Sequence, residues 1–209
     1  MRRILIADDH ILIRSGLRQI LTNEFPSAII EEASDAEELL KKVLSQHWDL
    51  VITDISMPGK SGLEILKEIK LYDPTIPVLV LSMFPEEQYA IRALTTGASG
   101  YLNKMSAPDE IVKAINQISL GKKYITPGLA EQLANNLRND QDKELHESLS
   151  TREFEIFKLL ANGKSVSEIA EQISLSPSTI STYRSRIMVK MNLHTNADLI
   201  FYCIGHKLV

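Results

Sequence analysis

The sequence predicts a doubly wound α/β domain on a five-stranded parallel sheet, followed by an all-α domain. Three observations point there. Short runs rich in Val, Ile and Leu alternate with helical apolar spacing up to about residue 120. Each of the polar groups Asp8/Asp9, Asp54, Ser82 and Lys104 stands at the end of such a run. From residue 149 onward no strand-like run appears at all. Apolar runs this short read as buried parallel strands, and their alternation with helices over brief connections gives an open sheet covered on both faces.

Taken in order, strands are expected near 3–7, 28–32, 50–53, 77–81 and 100–103. Between them Leu12, Leu17, Ile20 and Leu21 recur at helical spacing, as do Ala36, Leu39, Leu40, Val43 and Leu44. Leu63, Ile65, Leu66 and Ile69 make a third helix, stopped by Pro74 and Pro77. Ile91, Ala93 and Leu94 mark a fourth, ended by Gly97, and Ile111, Ala114, Ile115 and Ile118 a fifth, ended by Gly121. Pro127 opens a short helix from Leu129 to Leu137, and residues 138–147 are polar and charged, the composition of a hydrated linker. Four short helices follow, near 151–162, 166–173, 177–191 and 195–206. The organisation expected is an α/β domain over 1–121, a linker with a short helix over 122–148, and a helical domain over 149–209.

With 209 residues, 44% of them hydrophobic and 24% charged, the chain can bury two ordinary cores and has the balance of a soluble protein. Its apolar runs fall well short of the ~18 residues a bilayer span needs, and Asp8-Asp9 interrupts the N-terminal run too early for a secretory signal. No membrane partner is expected. A single cysteine, Cys203, rules out an internal disulfide and suits a cytoplasmic location. The net charge of −4 divides into −6 over 1–148 and +2 over 149–209, compatible with nucleic-acid binding by the C-terminal part.

Groups at the carboxyl ends of parallel strands converge on one crevice. Asp8, Asp9 and Asp54 there, with a hydroxyl and an ammonium, make a divalent-metal and phosphoryl site: magnesium takes carboxylate oxygens, and an ionised Asp is a nucleophile toward phosphorus. Taken singly, Asp8-Asp9 would serve as a helix N-cap and Lys104 as a solvated lysine; their joint placement is the signal. Two glycine-lysine-serine words, at Gly59 and Gly163, lack the upstream glycine of a P-loop, whose positions hold Asp54 and Lys158. The five histidines and Cys203 show no zinc spacing.

The segments Ile6-Ala7-Asp8-Asp9-His10, Thr53-Asp54-Ile55-Ser56-Met57-Pro58-Gly59, Leu81-Ser82-Met83 and Gly97-Ala98-Ser99-Gly100-Tyr101-Leu102-Asn103-Lys104 resemble those of receiver domains of two-component response regulators. The resemblance implies a flavodoxin-like receiver with Asp54 as phosphoacceptor. It further implies Mg2+ held by Asp9, Asp54 and the Ser56 carbonyl with Asp8 acting through water, and Ser82 and Lys104 on the phosphoryl group. Tyr101 becomes the aromatic switch. A sensor histidine kinase or phosphotransfer protein is then the phosphodonor, docking around Ile13, Arg14 and Leu17. Met105 stands where many receivers have proline, and Ser56 and Phe84 hold rim positions that tune the lifetime of the phosphorylated state.

In the second domain, Ser150/Glu153 and Ser165/Glu168 are capping boxes, and Pro177 suits a first helical position. Over 177–191 the apolar stripe Ile180, Ile187, Met191 opposes Ser178, Thr182, Ser185 and Val189. The words Leu-Ser-Thr-Arg-Glu, Leu-Ala-Asn-Gly-Lys-Ser, Leu-Ser-Pro-Ser-Thr-Ile and Lys190-Met191-Asn192-Leu193 resemble the helix-turn-helix domain of NarL/FixJ (LuxR-type) regulators. The resemblance implies binding of double-stranded DNA, with Ser181, Thr182 and Ser185 facing bases and Thr179, Tyr183, Arg184, Arg186 and Lys190 facing phosphates. Family members often carry lysine and histidine where Ser181 and Tyr183 stand. The last helix, with Ala197, Ile200, Phe201 and Ile204, either forms a dimer contact or closes the core. The expected whole is a phosphorylation-switched transcription factor, a homodimer when active and not an enzyme beyond its own phosphotransfer and autodephosphorylation. Its rivals are a phosphorylation-independent regulator whose receiver only dimerises, and an aspartyl-phosphate phosphatase, which lacks a second acid two residues after Asp54.

Overall fold

The computed structural model describes residues 3–57, 60–138 and 144–209, and the chain divides after residue 136 into two compact units. In the first unit β1 (Arg3–Ala7), α1 (Ile11–Glu24), β2 (Ile29–Ala33), α2 (Ala36–Ser45), β3 (Leu50–Asp54), α3 (Gly62–Tyr72), β4 (Val78–Ser82), α4 (Glu86–Thr96), β5 (Gly100–Asn103) and α5 (Ala107–Ser119) alternate. The sheet is parallel throughout, in the order β2-β1-β3-β4-β5. Strands β3 and β4 are buried along their whole length, which is why they read as unbroken apolar runs. The edge strand β2 is only half-buried and carries Glu31 and Glu32. The core between the sheet and helices α1 and α5 gathers Ile4, Ile6, Leu21, Ile52, Leu79, Leu81, Ile111 and Ile115.

The chain beyond α5 stays with this unit. Tyr124 N–H donates to the Ser99 carbonyl at 2.8 Å, a bridge that pairs Tyr124 with Gly100 beside the β5 edge. A side chain at Gly100 would press on Tyr124 and Leu79 at 3.0 and 3.1 Å, so glycine permits the approach. The Tyr124 hydroxyl donates to Glu110 of α5 at 2.9 Å, and Thr126 Oγ1 donates to Glu86 of α4 at 2.6 Å. Helix α6 (Pro127–Arg138) begins there, with Leu129 buried. The linker expected over 122–148 therefore starts as part of the first unit. Residues 139–143 of its polar stretch lie outside the described residues.

In the second unit a short 3₁₀ turn, Leu145–Ser148, precedes α7 (Thr151–Ala161), α8 (Val166–Gln172), α9 (Pro177–Lys190) and α10 (Asn196–Gly205). His146, within the segment expected to be hydrated, stacks on Phe154 and lies 3.1 Å from the Tyr202 hydroxyl. Both expected capping boxes form, and Thr195/Asp198 makes a third at α10. Phe154, Phe157, Ile169, Ile180, Ile187, Leu199 and Cys203 fill the core. Arg152 is buried with Glu155 at 2.7 Å and donates to the Ile173 carbonyl, joining α7 to the end of α8.

Glu153 does more than cap. Its Oε2 accepts from Ser150 N–H and lies 2.7 Å from Lys190 Nζ at the end of α9. Burial opposes its charge, but Lys190 and the Ser150 bonds outweigh burial and hold the carboxyl below its ordinary value of 4.5. A lowered folded-state value means stability that is present above the unfolded value and lost as the pH falls through the folded one. Glu153→Gln should therefore cost this unit about 1–2 kcal/mol at neutral pH, and the deficit should close in acid. Urea unfolding at both pH values checks this; a deficit unchanged in acid would refute it.

Candidate functional site

In the strand order the chain runs outward from β1 to β2 and then returns to β3 on the other side of β1. The crevice beyond the carboxyl ends of β1 and β3 is thus the topological switch point, where open α/β sheets bind ligands. Asp8 and Asp9 follow β1, Asp54 ends β3, Ser82 ends β4 and Lys104 follows β5. Parallel register puts Asp54 beside Leu81 and Ser82 beside Asn103, and Lys104 N–H donates to the Ser82 carbonyl at 2.8 Å.

Lys104 Nζ sits 2.6 Å from Asp8 Oδ2 and 2.8 Å from Asp54 Oδ2, with all three side chains buried. Burial pushes the Asp54 carboxyl upward; Lys104 offsets part of that and nearby Asp8 adds to it. For Lys104 burial works against the charge, but the two carboxylates prevail and its pKa is raised, so it is an ammonium. The Ser56 N–H faces the Asp54 carboxylate. One ligand atom from each of Asp8, Asp9, His10 and Asp54 lies within 4.8 Å of the others. Three carboxylates against one ammonium leave excess negative charge, and hard oxygen donors are what Mg2+ takes, so the residues fit that ion.

Phe84 joins the two switch candidates. Its N–H donates to Ser82 Oγ at 3.0 Å and its carbonyl accepts from the Tyr101 hydroxyl at 2.9 Å and from Asn103 Nδ2. Tyr101 is fully buried, in the inward position, and the Phe84 ring stacks on Tyr89.

Several expectations need correction. Leu17 is 5% exposed, a core residue that offers no docking surface, and Ile13 is partly buried against the same core. Arg14 is engaged by the Asp8 carbonyl at 2.6 Å and by Glu32. The apolar groups that α1 does expose are Ile11 and Leu12, at 66% and 84%. The helical period was legible, but not which flank faces the sheet. His10, which has no zinc spacing in the sequence, places Nδ1 2.7 Å from Asp9 Oδ1; its adjacency to the acid pair is the signal the sequence carries.

On α9, Ser181, Thr182, Ser185 and Arg186 are exposed, and Thr179, Tyr183 and Arg184 are half-buried. Thr182 and Ser185 hydroxyls donate to the carbonyls of Ser178 and Ser181, which leaves their oxygens outward as acceptors. Ser178, Thr179, Thr182, Tyr183 and Arg186 line a shallow polar depression. Arg184 is held by Asn196 Oδ1 at 2.8 Å. Lys190, expected at a phosphate, lies 2.7 Å from Glu153 Oε2 with its side chain 43% exposed. Val189 is the apolar group left on the outer face.

Comparison with known proteins agrees with this division. The family described as "Response regulator receiver domain" matches residues 4–116, and "Bacterial regulatory proteins, luxR family" matches 147–203. The chain is 35% identical over 209 residues to "Response regulator UvrY" of Escherichia coli strain K12, covering 100% of this chain and 96% of that protein. It is 33% identical over 214 residues to "Oxygen regulatory protein NreC" of Staphylococcus carnosus, covering 99% of each. Among solved structures, RcsB of Salmonella enterica serovar Typhimurium, bound to promoter rprA with the phosphomimetic BeF3-, is similar at TM-score 0.65 and 27% identity, over 97% of this chain and 98% of that one. No helix among the described residues is long and apolar enough to cross a membrane.

Proposed function

The chain belongs to the LuxR-type response regulators of two-component systems, and from that membership we propose that it is a DNA-binding transcription factor switched by Mg2+-dependent phosphorylation of Asp54. The phosphodonor is a sensor histidine kinase or phosphotransfer protein, and the setting is the cytoplasm. The observation that carries the reading is the bridge from Lys104 Nζ to both Asp8 and Asp54, buried at the switch point of the sheet.

In the transfer an Asp54 carboxylate oxygen attacks phosphorus, the P–N bond of the phosphoimidazole breaks, and the imidazole leaves with a proton. Asp9, Asp54 and the Ser56 carbonyl would hold Mg2+, with Asp8 acting mostly through water, and the ion would supply charge neutralisation for the phosphoryl oxygens. Lys104 exchanges its bond to Asp54 for one to the phosphoryl group, and the Ser82 hydroxyl turns toward it. Ser82 and Tyr101 share Phe84 as partner, so a move of one disturbs the other. The reaction is stoichiometric on the protein's own carboxylate, with no turnover of a separate substrate beyond autodephosphorylation. Phosphorylation shifts the receiver only by its differential stabilisation of two states.

Helix α9 is the recognition helix for double-stranded DNA. Ser181, Thr182 and Ser185 face bases, while Thr179, Tyr183, Arg184 and Arg186 face phosphates. Lys190 joins them, since its ammonium has donors beyond the one it gives to Glu153. Hydroxyl acceptors and donors discriminate bases less sharply than a bidentate arginine, so shape and half-site spacing supply much of the specificity. Ala197, Phe201 and Ile204 stand exposed on α10 and suit a homodimer contact on DNA.

The test is protein mass and DNA affinity with and without Mg2+ and acetyl phosphate, for wild type and Asp54→Asn. Wild type should gain one phosphoryl group and bind DNA more tightly; the variant should do neither. Phosphoryl gain without any change in DNA affinity or dimerisation would break the proposed link between the two domains.

A further inference from the structure

Resting on the reading of Asp54 as the phosphoacceptor, we infer that Glu86 tethers the start of α4 to the start of α6 and that phosphorylation releases the tether. Its release loosens the first turn of α6, the helix by which the chain leaves the first unit. Thr126-Pro127 is a helix start by composition: proline suits the first helical position, and its ring confines the residue before it to extended backbone. Thr126 Oγ1 accepts from Leu129 N–H at 3.2 Å and the Thr126 carbonyl accepts from Ala130 N–H at 2.9 Å, so this threonine caps α6. The same hydroxyl gives its proton to Glu86 Oε1 at 2.6 Å, 40 residues earlier in the chain. Capping needs only the oxygen lone pair. The proton is a separate bond, and it goes to the first residue of another helix.

The two ends of that bond are anchored to different parts of the unit. Thr126 follows Tyr124, whose N–H is held by the Ser99 carbonyl at 2.8 Å, beside β5, and whose hydroxyl is held by Glu110 of α5 at 2.9 Å. Glu86 stands two residues after Phe84, whose N–H donates to Ser82 Oγ at 3.0 Å and whose ring stacks on Tyr89 of α4. A change of staggered rotamer, which the turn of Ser82 toward a phosphoryl group on Asp54 demands, carries Oγ by about 2 Å. The Phe84 N–H then follows its acceptor or loses it, and a part-buried donor without a partner is costly. The segment 84–86 therefore shifts with Ser82, while Tyr124 keeps Thr126 in place, and a bond this short is lost when its partners part by a comparable distance. Without its acceptor the Thr126 hydroxyl can turn its proton toward Leu129 N–H, where it opposes the cap, and a negative charge leaves the positive end of α6.

The experiment is amide hydrogen exchange on the full chain, read by NMR at Leu129 and Ala130, with and without Mg2+ and acetyl phosphate, for wild type and Glu86→Ala. Phosphoryl gain is followed by mass in the same samples. In wild type, labelling should speed exchange at both amides by roughly threefold to tenfold, the effect of weakening a helix cap. Glu86→Ala should gain the phosphoryl group as wild type does, yet exchange at the fast rate in both states. Exchange that is unchanged or slowed in labelled wild type would overturn the inference and leave the phosphorylation reading standing. A Glu86→Ala protein whose two amides still respond to labelling as in wild type would do the same. A wild type that gains no phosphoryl group removes the reading and the inference together.

Discussion

Gly62→Ala is expected to destabilise the first unit by about 3 kcal/mol or more and to impair phosphorylation at the same time. A Cβ at Gly62 would fall 1.9 Å from the Asp54 carbonyl oxygen, 2.8 Å from its carbonyl carbon and 2.8 Å from Ile55 Cα. All three are backbone atoms, so no side chain can rotate away and the start of α3 must lift off β3. Gly62 N–H also donates to the Ile55 carbonyl at 2.7 Å, and lifting the helix stretches that bond. Because the crowded atoms belong to Asp54 itself, the nucleophile moves with them. Gly16→Ala is the control: nothing lies within 4 Å of its Cβ, and within α1 alanine should gain about 0.5–1 kcal/mol. Urea unfolding and the rate of labelling by acetyl phosphate read both variants. A Gly62→Ala protein as stable and as reactive as wild type would show that the loop after β3 absorbs the methyl group.

Removing the pocket ammonium should move two properties in opposite directions. With Lys104→Ala the rate of Asp54 phosphorylation is expected to fall by about 10²–10³, the usual cost of losing one preorganised charged donor to a developing anion. Divalent-cation affinity should rise, because Asp8 and Asp54 lose the cation that now sits 2.6 and 2.8 Å from them and a metal no longer competes with it. Without metal the variant should be less stable, since a buried carboxylate pair is left uncompensated, and added Mg2+ should restore much of that loss. A variant whose metal affinity drops along with its phosphorylation rate would mean that Lys104 shapes the pocket rather than competing for its charge.

The strand ends were legible because strand composition and the groups terminating each strand are local signals. The run 50–53 with Asp54 after it becomes β3 (Leu50–Asp54), and the expected second strand shifts by one residue to Ile29–Ala33. Helix starts in the second unit were equally local, since a capping box is written in four residues. What escaped the sequence depends on neighbours distant along the chain. Leu17 is in the helical period of α1, but only the packing of α1 on the sheet decides that it is core. Lys190 looks like its basic neighbours until Glu153, 37 residues earlier, is brought beside it. Nothing local marks Gly62, because the reason for glycine is the Asp54 carbonyl on another element. His10 has no metal-site spacing to other histidines or to Cys203, and its partners are its two immediate predecessors, Asp8 and Asp9.

The bond of Tyr124 to Ser99 and of Thr126 to Glu86 bears on how such regulators recombine. A splice at Gly121, where the fifth helix ends and a new output could be attached, would carry Tyr124 and Leu129 away with the wrong partner. It would uncover the β5 edge beside Gly100, whose bare Cα is shaped to that one tyrosine. An exchangeable cassette must therefore include the first turn of α6. Lineages that trade output domains are constrained to cross over downstream of it, or to replace Gly100 and Tyr124 together.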